Sequence, residues 1–168
     1  MESKRLKFRH FGYEDLDDMY EWTSDDEVSK YVTWNTHKNK VETKEFLDFI
    51  INKTKSNKNI FAITLKSELK VIGMIDVVNF DEHGIPEIGY VLNRKYWNKG
   101  YMTEALKFMV AHLFKEGYKK VEISAMVENI ASNKVIQKVG FKFVEKVDFF
   151  CKIKNKTVKI NEYEIINV

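Results

Sequence analysis

A mixed α/β fold is predicted for this chain by three features of its 168 residues. Apolar residues recur at helical spacing as far as Lys53, then switch to a period of two between Asn59 and Leu92. A strand–helix–strand unit follows, and two further alternating segments close the chain. A hairpin-rich sheet joined to one crossover implies helices packed on a mixed sheet. With one proline, seven glycines and no repeat or linker, a single domain over residues 1–168 is expected.

Element by element, Leu6, Phe8 and Phe11 begin a first strand. Leu16, Met19 and Tyr20, then Val28, Tyr31 and Val32, mark short helices separated by the polar Thr23–Asp26. A longer helix spans Val41 to Lys53, where Phe46, Leu47, Ile50 and Ile51 recur at three- and four-residue steps. Asn59–Leu65, Leu69–Phe80 and Glu87–Leu92 alternate as strands. Met102, Ala105, Leu106, Met109, Val110 and Leu113 form one stripe of a helix over Gly100–Lys115, stopped before Gly117. Val121–Val127 reads as a strand, Ala131–Val139 as a helix ending at Gly140, and Phe141–Phe150 and Val158–Ile166 as strands.

Composition bounds the function. The chain is 44% hydrophobic and 32% charged, which suits a packed globule rather than a disordered chain. No apolar run approaches the roughly 18 residues of a membrane span. Met1–Arg5 lacks the apolar core of a signal peptide, and the lone Cys151 has no partner for an internal disulfide. A cytoplasmic location, with no membrane contact and no metal, is expected. Lys138, Lys142, Lys146, Lys152, Lys154, Lys156 and Lys159 are interleaved with Glu145, Asp148, Glu162 and Glu164, and the net charge is only +3. A solvated, lysine-studded sheet edge is expected there, not a nucleic-acid surface.

The turn between Leu92 and the long helix carries the first chemical signal. Gly100 falls where the helix begins, and a helix start presents unpaired N–H groups with partial positive charge. A glycine lets a phosphate approach that backbone closely, and Arg94, Lys95 and Lys99 add attraction for an anion. Neither a G-x-x-x-x-G-K-[ST] loop nor a G-x-G-x-x-G fingerprint occurs, which disfavours nucleotide hydrolases and Rossmann dehydrogenases.

Tyr96-Trp97-Asn98-Lys99-Gly100-Tyr101-Met102-Thr103-Glu104-Ala105-Leu106 resembles the YWGKGYATEAL-like signature of RimJ/RimL-type acetyltransferases in the GNAT superfamily. Ile88-Gly89-Tyr90-Val91-Leu92 is similar to the strand before that signature, and Asn129-Ile130-Ala131-Ser132 with Lys138-Val139-Gly140-Phe141 is similar to the N-x-x-S…K-x-G-F segment after it. The resemblance implies the GNAT fold, a twisted mixed sheet of about seven strands flanked by about four helices, and transfer of acetyl from acetyl-coenzyme A to an amine. Trp97 stands in the Q/R place of the family's Q/R-x-x-G-x-G/A turn, Gly100 in the central glycine place and Met102 in the final small-residue place, while Asn98 replaces a frequent glycine. Trp97, Asn98, Lys99, Gly100, Tyr101, Met102 and Thr103 are thereby expected to hold the coenzyme's diphosphate. Tyr90, Val91 and Leu92, in a bulged strand, are expected to hold its pantetheine arm together with Asn129. The amide of Val91 or Leu92 would face the developing oxyanion.

Acyl transfer also needs a neutral amine and a proton for the departing thiolate. A lysine-like amine, with a pKa near 10.4, is neutral in only about one molecule in a thousand at physiological pH. Glu87 is the first candidate for the base, with His83, Glu104 and Glu128 as weaker ones. The family's usual acid, a tyrosine, is replaced by Ile136, and Ser132 remains as a RimL-like catalytic hydroxyl; alternatively it caps the helix that follows. By analogy with the family, Tyr31, Trp34 and His37 are candidates to shape the acceptor pocket; the competing reading is aromatic packing of helices on the sheet. The acceptor is a small-molecule amine or a peptide or protein N-terminus, and a homodimer is compatible with the family. A catalytically silent coenzyme sensor and a nucleic-acid- or ribosome-binding module are the rival readings.

Overall fold

The computed structural model describes residues 1–167. Its strands are β1 (Leu6–Arg9), β2 (Ile60–Leu65), β3 (Lys70–Phe80), β4 (Pro86–Leu92), β5 (Lys120–Met126), β6 (Lys142–Cys151) and β7 (Lys156–Ile166). The helices are α1 (Leu16–Thr23), α2 (Asp26–Ser29), α3 (Lys40–Thr54), α4 (Tyr101–Lys115) and α5 (Ile130–Val139). One seven-stranded sheet runs in the order β1-β2-β3-β4-β5-β7-β6. The first four strands form an antiparallel meander, and α4 carries the chain across to β5, which lies parallel to β4. This is the mixed α/β fold that the residue pattern predicts. The second short helix is only one turn long, so Tyr31 and Val32 fall in the loop beyond it.

Each face of the sheet has its own core. On one face the α4 stripe Met102, Ala105, Leu106, Met109, Val110 and Leu113 packs with Phe8, Ile63, Ile72, Ile75, Ile88 and Ile123. On the other, Met19 and Trp22 of α1 and Leu47 and Ile50 of α3 close over Ala62, Val71 and Val91. Burying each large side chain of this kind contributes about 1.5–3 kcal/mol. β2 is buried along its whole length, as a strand covered on both faces must be. β7, which buries Tyr163, takes the inner position beside β5, whereas β6 is exposed along most of its length and lies at the edge.

One departure from regular pairing creates the site. β4 and β5 pair only at Glu87–Glu122 and Ile88–Ile123, although β4 keeps β3 as far as Leu92 and β5 keeps β7 as far as Met126. A V-shaped opening therefore starts at Gly89 and Ser124. The resemblance implies a bulge at Tyr90–Leu92 that splays β4 from β5; β4 has left β5 there, while its pairing to β3 stays regular. The irregularity lies on β3, where Val78 is the extra residue between Val77 and Asn79.

Candidate active site

The turn after β4 is built to leave amides free. Asn93 accepts from the Lys95 amide and starts a short 3-10 turn, Arg94–Tyr96. The Trp97 indole then donates to the Leu92 carbonyl at 2.8 Å and folds the loop against the strand end. Asn98 (φ 60°) and Gly100 (φ 77°) are both left-handed, a conformation open to glycine and tolerated by asparagine. The Asn98-for-glycine replacement is thereby accommodated. The first helical bond of α4 runs from the Glu104 amide to the Gly100 carbonyl at 3.1 Å, and no side chain caps the helix. Among the described residues no group accepts from the amides of Asn98, Lys99, Gly100, Tyr101, Met102 and Thr103. Six consecutive free donors at the positive end of a helix form an anion cradle.

Arg5 holds this cradle from behind, a role that a single arginine at the chain start gives no signal for. Glu104 accepts from the Ser3 hydroxyl at 2.6 Å, and from the Arg5 amide and Nε at 2.7 Å each. Arg5 Nη1 donates to the Lys99 carbonyl at 2.9 Å, and its guanidinium lies 4.3 Å above the Tyr101 ring. Burial pushes the Glu104 carboxyl up, but the bonds from Ser3 and Arg5 outweigh it and leave the group below its ordinary range. Glu104 thus braces the start of α4, with both carboxylate oxygens bonded to Ser3 and Arg5. Of the three cations expected to attract an anion, Arg94 is paired with Asp25 at 2.8 Å and Lys95 with Glu21 at 3.2 Å. Lys99 has no carboxylate partner among the described residues and lies over the Tyr96 ring.

Along β4 the Asn93 amide donates to the Ile72 carbonyl. Hydrogen-bonded pairs alternate along an antiparallel ladder, so Val91 and Gly89 turn their amides to β3, while Leu92 and Tyr90 turn theirs into the opening. Of the two amides considered for the oxyanion, the register leaves that of Leu92. Across the opening, α5 is capped by Asn129, whose Oδ1 accepts from the Ser132 amide at 3.1 Å. Ser132 is therefore not the cap. Its hydroxyl lies 2.7 Å from the Tyr90 hydroxyl, which burial pushes up to about 12. Ile136 is fully buried in the core, so the phenol near this site arrives from β4 and not from α5.

On the opposite face of the sheet Glu87 accepts from the Ser124 hydroxyl at 2.7 Å, at the apex of the V. A cavity of about 130 Å³ lies beyond it, lined by Tyr31, Thr33, Ser124, Met126, Phe149 and Ile160. Of the three acceptor candidates, Tyr31 lines this cavity. Trp34 and His37 are not among the lining residues: Trp34 packs against Trp22, Phe46 and His37, and His37 Nδ1 bonds the Thr43 hydroxyl at 2.9 Å. These two brace α1 against α3, and burial lowers the His37 pKa. Phe149, on the lysine-rich hairpin, is a lining residue that the sequence pattern hides. His83 and Glu128 are exposed, His83 in the turn before β4.

Asp76 also has no counterpart in the sequence reading. It pairs with Gly89 across β3 and β4, and a Cβ on Gly89 would come within 3.6 Å of its Oδ1. Lys53 is its nearest cation, at 3.9 Å, and burial raises its carboxyl to about 6. Further along the same face burial raises Glu162, reinforced by the charges of Glu145, Glu87 and Glu122. The site thus has two poles, free amides on one side of the opening and carboxylates on the other.

A split mixed sheet with a bare helix start at its mouth defines an acyltransferase framework. The family model described as "Acetyltransferase (GNAT) domain" matches residues 5–142, so this chain belongs to the GNAT acetyltransferase family. It is 34% identical over 142 residues to the uncharacterized N-acetyltransferase YnaD of Bacillus subtilis, covering 83% of this chain and 81% of that protein. A GNAT-family acetyltransferase structure from Bacillus anthracis superposes with a TM-score of 0.84 at 28% identity, covering 98% and 96% of the two chains. The ribosomal L7/L12 α-N-protein acetyltransferase RimL, in complex with coenzyme A, shares the fold with a TM-score of 0.83 at 17% identity, covering 98% and 95%.

The raised Asp76 carboxyl sets a pH dependence. In the unfolded chain it ionises near 3.8 and in the folded protein near 6, so the unfolded state releases its proton first and this group takes stability away as pH rises through that window. Asp76→Asn is expected to add roughly 2–3 kcal/mol to the unfolding free energy at about pH 7.5, and almost nothing near pH 3. Urea unfolding of both proteins at the two pH values checks this.

Proposed function

We propose that this acetyltransferase transfers the acetyl group of acetyl-coenzyme A to a primary amine by direct attack in a ternary complex, in the manner of the RimJ/RimL branch. The observation that carries the reading is the run of free amides from Asn98 to Thr103, in register with the open edge of β4. A diphosphate accepts from those amides; Gly100 adds no side chain of its own, and the atom nearest the place of its missing Cβ is Arg5 Nη2, at 3.5 Å. The pantetheine arm then lies along the unpaired edge from Leu92 toward Gly89, beside Asn129. There the Leu92 amide is positioned to stabilise charge developing on the thioester oxygen.

The two hydroxyls on the α5 side serve the leaving group. Tyr90, kept protonated by its burial, donates to Ser132, and Ser132 passes its own proton toward the departing sulfur. On the other face Glu87 takes the proton of the incoming ammonium, directly or through water. The cavity bounded by Tyr31, Ser124 and Phe149 has room for about four waters, enough for one small residue or a short aminoalkyl arm. Its carboxylate-rich surroundings favour a cationic amine, either a protein N-terminal α-amine, as in the RimL relative, or a small molecule.

Gly100→Glu is expected to abolish coenzyme A binding while leaving the thermal midpoint within a few degrees of wild type. It places both a strained left-handed side chain and a negative charge in the cradle. Titration calorimetry with coenzyme A is the check, and wild-type affinity would move the phosphate site elsewhere. Ser132→Ala should lower kcat by about 10- to 100-fold with coenzyme affinity nearly intact, and Tyr90→Phe should act in the same direction more weakly. Thiol release from acetyl-coenzyme A, screened against amines, peptides and aminoglycosides, measures both. An unchanged kcat in Ser132→Ala removes that hydroxyl from the mechanism.

A further inference from the structure

The face of the sheet that carries Glu87 changes character row by row. Glu87, Glu122 and Glu164 stand level on β4, β5 and β7. In the next row Ser124, Glu162 and Glu145 stand level on β5, β7 and β6. Residues two apart on a strand share a face, so the row after that is Met126, Ile160 and Val147, and it is wholly apolar. Lys120 bridges Glu122 and Glu164 at 2.8 and 2.9 Å, whereas Glu87, Glu145 and Glu162 have no cation partner among the described residues. Like charges opposed across strands weaken a sheet, and Glu145 stands directly opposite Glu162.

The cavity of about 130 Å³ lies on the boundary between the two kinds of row. Ser124 lines it from the acidic row, and Met126 and Ile160 line it from the apolar row, with Tyr31 and Phe149 added from the loop after α2 and from β6. An apolar cavity of roughly 150 Å³ takes a benzene ring, so this one suits a branched group of about four carbons. An amine held near Ser124 and Glu87 lies beside the open edge of β4, and a substituent on the same carbon then falls on the apolar row. A carboxylate on that carbon would instead bring a further negative charge among three that are already unpaired, a juxtaposition that costs binding.

We propose that the acceptor is a primary amine whose amine-bearing carbon carries a branched apolar group and no carboxylate, with the apolar group seated on Met126 and Ile160 beside Tyr31 and Phe149. Ile160 and Phe149 then select the acceptor by its side group, and Glu87, Glu145 and Glu162 turn free amino acids away. A peptide that begins with leucine and a small amine such as leucinamide share this chemistry, whereas glycine at the same place leaves the cavity empty. The inference rests on the reading of this opening as the place of acetyl transfer and adds to it which amine enters.

Titration calorimetry compares leucinamide, glycinamide and leucine on the full chain saturated with coenzyme A, which has no acetyl group to transfer. Leucinamide is expected to bind about tenfold or more tighter than glycinamide, the discrimination that a few carbons give in an apolar pocket, and leucine no tighter than glycinamide. Ile160→Asn places an amide in the apolar row and should bring leucinamide down to glycinamide, and Phe149→Ala, at an exposed edge position, should act in the same direction. Glu162→Gln should narrow the gap between leucinamide and leucine. Circular dichroism melts confirm that each variant is folded. The peptide Leu-Gly-Gly amide distinguishes the sources: binding tighter than that of leucinamide identifies a chain terminus, and equal binding a small molecule. Glycinamide or leucine binding as tightly as leucinamide, no binding of leucinamide, or a preference that both Ile160→Asn and Phe149→Ala leave intact would overturn the proposal. If coenzyme A itself does not bind, the reading of the Gly100 turn fails, and the same titrations without coenzyme still decide the preference of the cavity.

Discussion

β4 and β5 share a parallel ladder for only two residues, and the candidate site follows from that early parting. Backbone groups removed from water must find partners. Beyond Ile88 and Ile123 each strand keeps its ladder on the outer side, β4 with β3 and β5 with β7. The opening therefore splits the pairing but not the sheet. Its inner edges are left with donors and acceptors that a ligand running between the strands can satisfy. Gly89, the first residue inside the V, contributes no side chain, and Val78, the extra residue of β3, fills the space a Cβ there would take, with Asp76 beside it.

The start of α4 completes that opening and is held by contacts from distant parts of the chain. Glu104 gathers Ser3 and Arg5, and Arg5 in turn grips the Lys99 carbonyl and covers Tyr101. Arg94 and Lys95 tie the same loop to Asp25 and Glu21 in and beside α1. Such partly exposed pairs are individually weak; together they fix a loop whose own amides are unbonded. The division of charge, free amides at one pole and Glu87, Glu122, Glu162 and Asp76 at the other, suits the proposed meeting of an anionic acyl carrier with a cationic amine.

Most elements were legible because their signals are local. The six apolar residues of α4 all became buried, and Gly117 and Gly140 follow the ends of α4 and α5 in left-handed conformations. Where the reading failed, the cause was not local. Tyr31 and Val32 carry helical spacing, but Ser29, Thr36 and Asp26 bond one another and hold the segment after α2 as a loop. Trp34 and His37 share that segment with Tyr31, yet they turn toward Phe46 while Tyr31 turns toward Phe149. Phe149 sits in a run of lysines that reads as solvated, and Asp76 in a strand that reads as core.

By itself the amino-acid order determined the α/β class, the succession of elements, the turn at Gly100 and the membership of a transferase family, since each is written in residues close together in sequence. The fold alone decided that β7 enters between β5 and β6, that Arg5 reaches Glu104 across the chain, and that a phenol on β4 meets Ser132 on α5. These are contacts between residues tens of positions apart, set by which faces of the strands and helices are buried together, and no local pattern records them.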